Sequence, residues 1–192
     1  MLARLLSLCL VLVCVTAPAP VAAQTPARDR HVIVISLDGF AAYALHDPAI
    51  PLPNIRALAR DGVIADAMMP VNPTVTWPNH TTMVTGVSPQ RHGLLYNGLP
   101  VRAEPGSTAA PVRIEAHVDK PDLVLAPTVY DRAHDAGLTT AEVDWVAIEN
   151  APTITWDFPE YSKPQAPLAR EMVQAGAITE EELQTFAKAP IT

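Results

Sequence analysis

Hydrophobic and polar positions divide this chain into short runs that switch between helix-like and strand-like spacing. Met1 to Gln24 carries one charge, Arg4, then the apolar run Leu5 to Thr16, then Ala17-Pro18-Ala19-Pro20-Val21-Ala22-Ala23. About a dozen apolar residues fall short of the ~20 needed to cross a bilayer, and the small residues that follow suit a signal peptidase. The pattern predicts a secretory signal over residues 1–23 that is cleaved near Ala23, with no stable membrane insertion afterwards. Residues 24–30 read as a polar linker, and residues 31–192 as one α/β unit.

Within that unit His31-Val32-Ile33-Val34-Ile35-Ser36-Leu37 runs without alternation, the signature of a strand buried on both faces of a parallel sheet. It stops at Asp38-Gly39. Pro51-Leu52-Pro53 opens a helix with Ile55, Leu58 and Ala59 on its inner face and Gly62 past its end. Val63 to Met69 reads as a second, shorter strand. Pro78 suits the first residue of another helix, with Met83 and Val84 inward and Gly86 as the stop. Val101 to Val118 has no clear period and reads as an excursion. Pro127 to Ala136 is helical and closes at Gly137, and Thr139 to Val143 is a strand. Pro167 to Ala175 is a further helix, and Thr179 with Glu182 makes a capping box ahead of Leu183 and Phe186. Strand, helix, strand, helix predicts an α/β sheet covered by helices on its faces.

Composition narrows the function. The formal charge of -7 opposes a nucleic-acid partner, because phosphate neutralisation needs surplus Lys and Arg. Both cysteines, Cys9 and Cys14, lie in the signal, so the exported chain would have neither disulfides nor thiolate metal ligands. Any metal would be held by Asp, Glu, His or hydroxyl oxygen.

Two positions carry candidate chemistry. In open α/β sheets ligands sit beyond the carboxyl ends of the strands, where Asp38 would stand, although a turn or cap role explains it equally well. In Asn72-Pro73-Thr74-Val75-Thr76-Trp77-Pro78-Asn79-His80 a hydroxyl precedes a helix start, in the field of unpaired backbone N–H groups that favours an alkoxide or a phosphate. An ordinary threonine cap is the competing explanation.

Together these segments resemble the nucleotide pyrophosphatase/phosphodiesterase family of the alkaline phosphatase superfamily. The resemblance rests on Ile35-Ser36-Leu37-Asp38-Gly39-Phe40, Pro73-Thr74-Val75-Thr76-Trp77-Pro78-Asn79-His80, Val84-Thr85-Gly86-Val87-Ser88-Pro89-Gln90-Arg91-His92-Gly93 and Asn97, in that order and spacing. It implies an alkaline-phosphatase-like, mostly parallel sheet with helices on both faces. It implies that Asp38 ligates one of two zinc ions, that Thr76 is both ligand and nucleophile, and that Asn97 donates a hydrogen bond to a phosphate oxygen. Thr74 is the rival hydroxyl, and Thr76 is favoured because the family sets its nucleophile directly before the aromatic-Pro-Asn-His sequence. Asn97 before Gly98 could instead be a turn residue. His80 and His92 are expected to be structural, Asp131 and His134 to lie on a solvated helix face, and Asp144 to be a reserve strand-end carboxylate.

The resemblance also implies an Asp and a His four apart, an adjacent Asp-His pair and a final His, all absent here. Residues 31–192 are therefore expected to be the N-terminal part of a catalytic domain, truncated after roughly its first half and inactive alone. The activity implied is hydrolysis of phosphate diesters or pyrophosphates in the periplasm or outside the cell, on small phosphate esters, through a phosphorylated threonine. The alternatives are a phosphomonoesterase or phosphonate hydrolase of the same superfamily, or a non-catalytic phosphate-binding fragment.

Overall fold

The computed structural model describes residues 30–160 and 162–188, in two units, residues 1–39 and residues 40–192. The predicted signal lies outside the described residues. Among the described residues no helix is long and apolar enough to cross a membrane.

In the first unit residues 30–39 form no strand, and Val32 is 91% exposed with Ile33, Val34, Ile35 and Leu37 also exposed. This corrects the expected buried strand. A strand is completed by ladder partners, and among the described residues neither sheet pairs with this run. Apolarity specifies that a segment favours burial, not what buries it.

The second unit begins with a 3₁₀ turn, Ala42–Leu45, and α1, Pro53–Asp61. Proline at the first helical position starts α1 at no cost, since that residue's N–H would be unpaired. Arg56 ties α1 back to the preceding loop through Nη1 to Ile50 O at 2.9 Å and Nη2 to Asp47 O at 2.5 Å. Ile55 and Ala59 are half-buried, whereas Leu58, expected inward, is exposed. Residues 63–69 likewise form no strand, and Val63 and Met69 stand in solvent.

α2 spans Thr76–Thr85 and α3 spans Pro89–His92. α2 starts two residues before the expected position. Pro78 thus falls in its first turn, where a missing N–H is still harmless. Gly86 closes α2 at φ 67°, a left-handed conformation that glycine adopts without strain. Met83 is exposed, because the buried face is formed by Pro78, His80 and Thr81.

The supposed excursion contains an antiparallel hairpin, β1 Leu99–Arg102 against β2 Val112–Glu115, with Leu99 opposite Glu115. After α4, Lys120–Leu123, comes α5, Val129–Asp135, opened by a capping box between Thr128 and Asp131. β3, Ala141–Val143, pairs in parallel with β4, Trp156–Phe158, in register Ala141 to Trp156. α6, Pro167–Gln174, and α7, Glu180–Phe186, follow, with the predicted Thr179–Glu182 box in place.

The chain is therefore mixed α/β, but its described sheets are two-stranded and only one is parallel. Two apolar clusters hold it. Leu94, Leu123, Val124 and Ala147 gather with Trp77, and Phe158, Ala169 and Leu183 bring β4, α6 and α7 together. Phe158 and Phe186 meet edge to face at 6.3 Å.

Candidate functional site at the start of α2

Residues 71–80 form a loop that runs into α2, and side chains on α2 itself fix it. Asn79 Oδ1 accepts from Val71 N at 2.8 Å, while its Nδ2 donates to Pro73 O at 3.0 Å and Val75 O at 2.8 Å. One amide thereby bonds polar backbone groups on both sides of Thr74, adding to the Val75 N bond to Pro73 O at 2.9 Å within the turn. His80 Nδ1 lies 2.8 Å from Thr76 O, so that nitrogen carries the proton and donates it. The His80 ring meets Trp145 edge-on at 5.2 Å.

The first turn of α2 has no side-chain cap from Val75. Its Trp77 N–H is instead taken by Asn97 Oδ1 at 2.9 Å, from a residue twenty positions later. A backbone N–H pairs only with the amide oxygen, so this bond assigns the two ends of Asn97. Its Nδ2 has no protein acceptor among the described residues. Thr76, the first residue of α2, is half-buried and adjoins the bonded amide. Thr76 and Asn97 are thus brought to one helix end, while Thr74, on the loop, is exposed.

Asp38 belongs to the first unit. Its Oδ1 accepts from Gly39 N at 3.0 Å, and Gly39 has φ 66°, so the expected tight turn is present without the strand before it.

His92 is fully buried. Its Nδ1 accepts from Leu94 N at 3.2 Å, which leaves Nε2 protonated and donating to Thr82 Oγ1 at 3.0 Å. Burial holds its pKa below the usual histidine value. A metal would have to displace one of those bonds.

Asp131 is not on a solvated face. It accepts from Lys120 Nζ at 2.7 Å through Oδ1, from Thr153 Oγ1 at 2.5 Å and from Thr128 N at 2.8 Å. Burial alone would raise its pKa, but the Lys120, Thr153 and Thr128 bonds outweigh it and leave the carboxyl at about 2. His134 is exposed. Asp144 ends β3 with φ 58°, and its N–H donates to Phe158 O at 2.7 Å. Burial raises its carboxyl, and raises Glu142 to about 7 with Asp157 and Asp144 adding repulsion.

Among the described residues no three His, Cys, Asp or Glu side chains gather closely enough to hold a metal ion. Zinc takes three or four protein ligands. The described donors therefore do not fit a zinc centre by themselves.

The chain matches the family model for type I phosphodiesterase / nucleotide pyrophosphatase over residues 32–190. It belongs to this family. Among curated relatives, it is 43% identical over 68 residues to ectonucleotide pyrophosphatase/phosphodiesterase family member 3 of Bos taurus, covering 35% of this chain and 8% of that protein. It is 46% identical over 66 residues to an uncharacterized pyrophosphatase/phosphodiesterase of Schizosaccharomyces pombe, covering 34% of this chain and 13% of that protein. Family member 7 of Homo sapiens is 40% identical over 81 residues, 42% of this chain and 17% of the human protein. The phosphodiesterase family chain thus spans well under two thirds of the curated relatives it matches.

The motif singled out Thr76 and Asn97, and the structure places both at the start of α2. The staple at Asn79 was missed, although an amide four residues into a proline-punctuated loop and helix is a signal for such a role.

Proposed function

We propose that this chain supplies the nucleophile and phosphate cradle of a hydrolase acting on phosphate diesters or pyrophosphates, with Thr76 attacking phosphorus and Asn97 donating to a non-bridging oxygen. The observation that carries this reading is the bond from Trp77 N to Asn97 Oδ1, which fixes an amide donor beside the first hydroxyl of α2. Thr76 Oγ forms a bond to phosphorus as the ester oxygen leaves, taking the hydroxyl proton with it directly or through water. Water then cleaves the threonine–phosphate bond, restores the hydroxyl and releases the phosphate. Asn97 Nδ2 and the partial positive charge of the helix end favour the oxygens that gain charge in both steps.

Asp38 and Thr76 are the donors this chain is proposed to contribute to a pair of zinc ions, and further ligands must complete that shell. Residues 1–23 are proposed as the export signal, and residues 31–192 as the N-terminal part of the catalytic domain.

The test has two parts. Nitrophenolate release from bis(p-nitrophenyl) phosphate with added zinc is compared in wild type, Thr76→Ser and Thr76→Ala. Any release above background is expected to fall in that order and to vanish in Thr76→Ala. Orthovanadate binding, followed by calorimetry, is expected to weaken at least fivefold in Asn97→Ala. Equal hydrolysis by wild type and Thr76→Ala, or vanadate binding that ignores Asn97, would overturn the assignment.

A further inference from the structure

Glu142 lies in the middle of β3, and its side chain reaches the turn that follows. Its Oε2 accepts from Trp145 N at 2.9 Å, while Oε1 is buried without a hydrogen-bond partner among the described residues. The indole N–H of Trp145 is likewise buried and unpaired there, so the ring takes its place from the backbone turn and from packing. That ring meets His80 edge-on at 5.2 Å, and His80 Nδ1 donates to Thr76 O at 2.8 Å. A continuous series of contacts therefore leads from a buried carboxyl to the first residue of α2.

The turn is not one the chain adopts unaided. Asp144, Ala147 and Asn150 have φ of 58°, 56° and 49°, a left-handed conformation that is unfavourable for residues other than glycine and persists only where surrounding bonds impose it. Asp144 N donates to Phe158 O and Lys120 N to Glu149 O, both at 2.7 Å, and these pin the two ends. At Trp145 itself the acceptor is the Glu142 side chain.

We propose that Glu142 is a positioning residue for Thr76, acting through the Trp145 turn and through His80; the inference rests on the reading of Thr76 as the phosphorus nucleophile. A carboxylate here would bury charge on an oxygen with no donor, so the neutral acid is the form that suits the closed turn. Burial pushes the carboxyl up to about 7, and Asp157 on β4 and Asp144 at the end of β3 add repulsion. Lys163 Nζ stands 3.9 Å from Asp157, and Tyr130 on α5, which also faces Glu142, is kept uncharged by burial. As pH rises through about 7 the ionised group gains from reaching water, which requires the turn to open. Glutamine keeps the acceptor and stays neutral, whereas leucine removes the acceptor.

Hydrogen exchange and NMR of the full chain, labelled with nitrogen-15 at histidine, test this without turnover. Protection is the exchange rate of Trp145 N–H relative to an unstructured peptide at the same pH. It is expected to fall at least fivefold between about pH 6 and about pH 8.5 in wild type and to stay level in Glu142→Gln. Glu142→Leu is expected to lose at least tenfold in protection at pH 6 and to broaden the His80 Nδ1 proton signal, which Glu142→Gln retains. Orthovanadate is expected to bind Glu142→Leu at least fivefold more weakly than wild type, and Glu142→Gln as tightly as wild type. Level protection across pH in wild type, or a His80 signal or vanadate affinity untouched in Glu142→Leu, overturns the inference. If Glu142→Leu fails to fold, the pH profiles of wild type and Glu142→Gln still decide. Wild type that does not bind vanadate at all, with exchange and the His80 signal behaving as expected, would sink the nucleophile reading and spare the coupling of Glu142 to His80.

Discussion

Asp131→Asn is expected to destabilise the chain by about 3 kcal/mol, because it leaves the Lys120 ammonium buried without its counter-charge. Lys120 and Asp131 side chains are 10% and 14% exposed, so solvent screens their attraction little. The carboxylate also accepts from Thr128 N and Thr153 Oγ1, drawing α4, α5 and the loop before β4 to one point. Two routes give the magnitude. Breaking a buried pair by removing one partner costs roughly 3–5 kcal/mol. A carboxyl held at about 2, against an ordinary value of 3.8, corresponds to about 2 kcal/mol at 1.36 kcal/mol per pKa unit. Either figure is a large share of a stability of roughly 5–15 kcal/mol.

The sign with pH follows from the depressed pKa. The pair's contribution is complete above the unfolded value near 4 and is lost as pH falls through about 2. Urea unfolding followed by circular dichroism at pH 7 and at pH 2.5 measures both effects. The gap between wild type and Asp131→Asn should be wide at pH 7 and narrower at pH 2.5. Replacing both partners, Lys120→Met with Asp131→Leu, should recover part of the loss, since no charge is then stranded. A loss under ~1 kcal/mol at pH 7 would refute the claim that this pair is a buried, coupled unit, because exposed pairs lie in that range.

Asn79→Ala strands Val71 N and removes one of the two donors to each of Pro73 O and Val75 O, and is expected to cost about 1–3 kcal/mol and to speed proteolysis within residues 71–75; an unchanged cleavage pattern would contradict the staple. Glu142, raised by burial to about 7, is neutral when folded over a range where the unfolded chain ionises. Its contribution therefore falls as pH rises from about 4.5 to about 7, and Glu142→Gln should flatten stability across that window in urea titrations at stepped pH. Ile33→Lys and Met69→Lys each replace an exposed apolar side chain with a charge. They should shift the unfolding midpoint by less than ~0.5 kcal/mol while raising the concentration at which light scattering begins.

How much the sequence disclosed depended on whether the signal was local. The capping box at Thr179, the glycine stops at Gly62 and Gly86 and the short strand ending at Val143 are each settled within a few residues, and all were legible. The runs at 31–37 and 63–69 have the composition of buried strands, but strandhood depends on remote partners that composition does not name. The hairpin of β1 and β2 escaped for the opposite reason. Val112 and Ile114 are exposed, so no inside–outside alternation marks the strand. Asp131 was misjudged because its partners, Lys120 and Thr153, lie 11 and 22 residues away and pair only in the fold.

The same distinction explains the start of α2. Its first-turn N–H groups would ordinarily be covered by a Ser, Thr, Asp or Asn at the residue before the helix. Valine occupies that position, and no side chain there serves. Asn97 covers Trp77 N from across the loop, Asn79 holds the entry from inside the helix, and His80 binds Thr76 O from the next turn. Three side chains are thus committed to backbone groups around one threonine, none of them taken from the capping position itself. A local cap would have placed its own oxygen over the first-turn amides. Moving the capping atom to an amide twenty residues on leaves that end of the helix with an amide donor, Asn97 Nδ2, where an aspartate cap would present only acceptor oxygens. The proposed phosphate cradle rests on that exchange, which a helix that merely had to begin would not need.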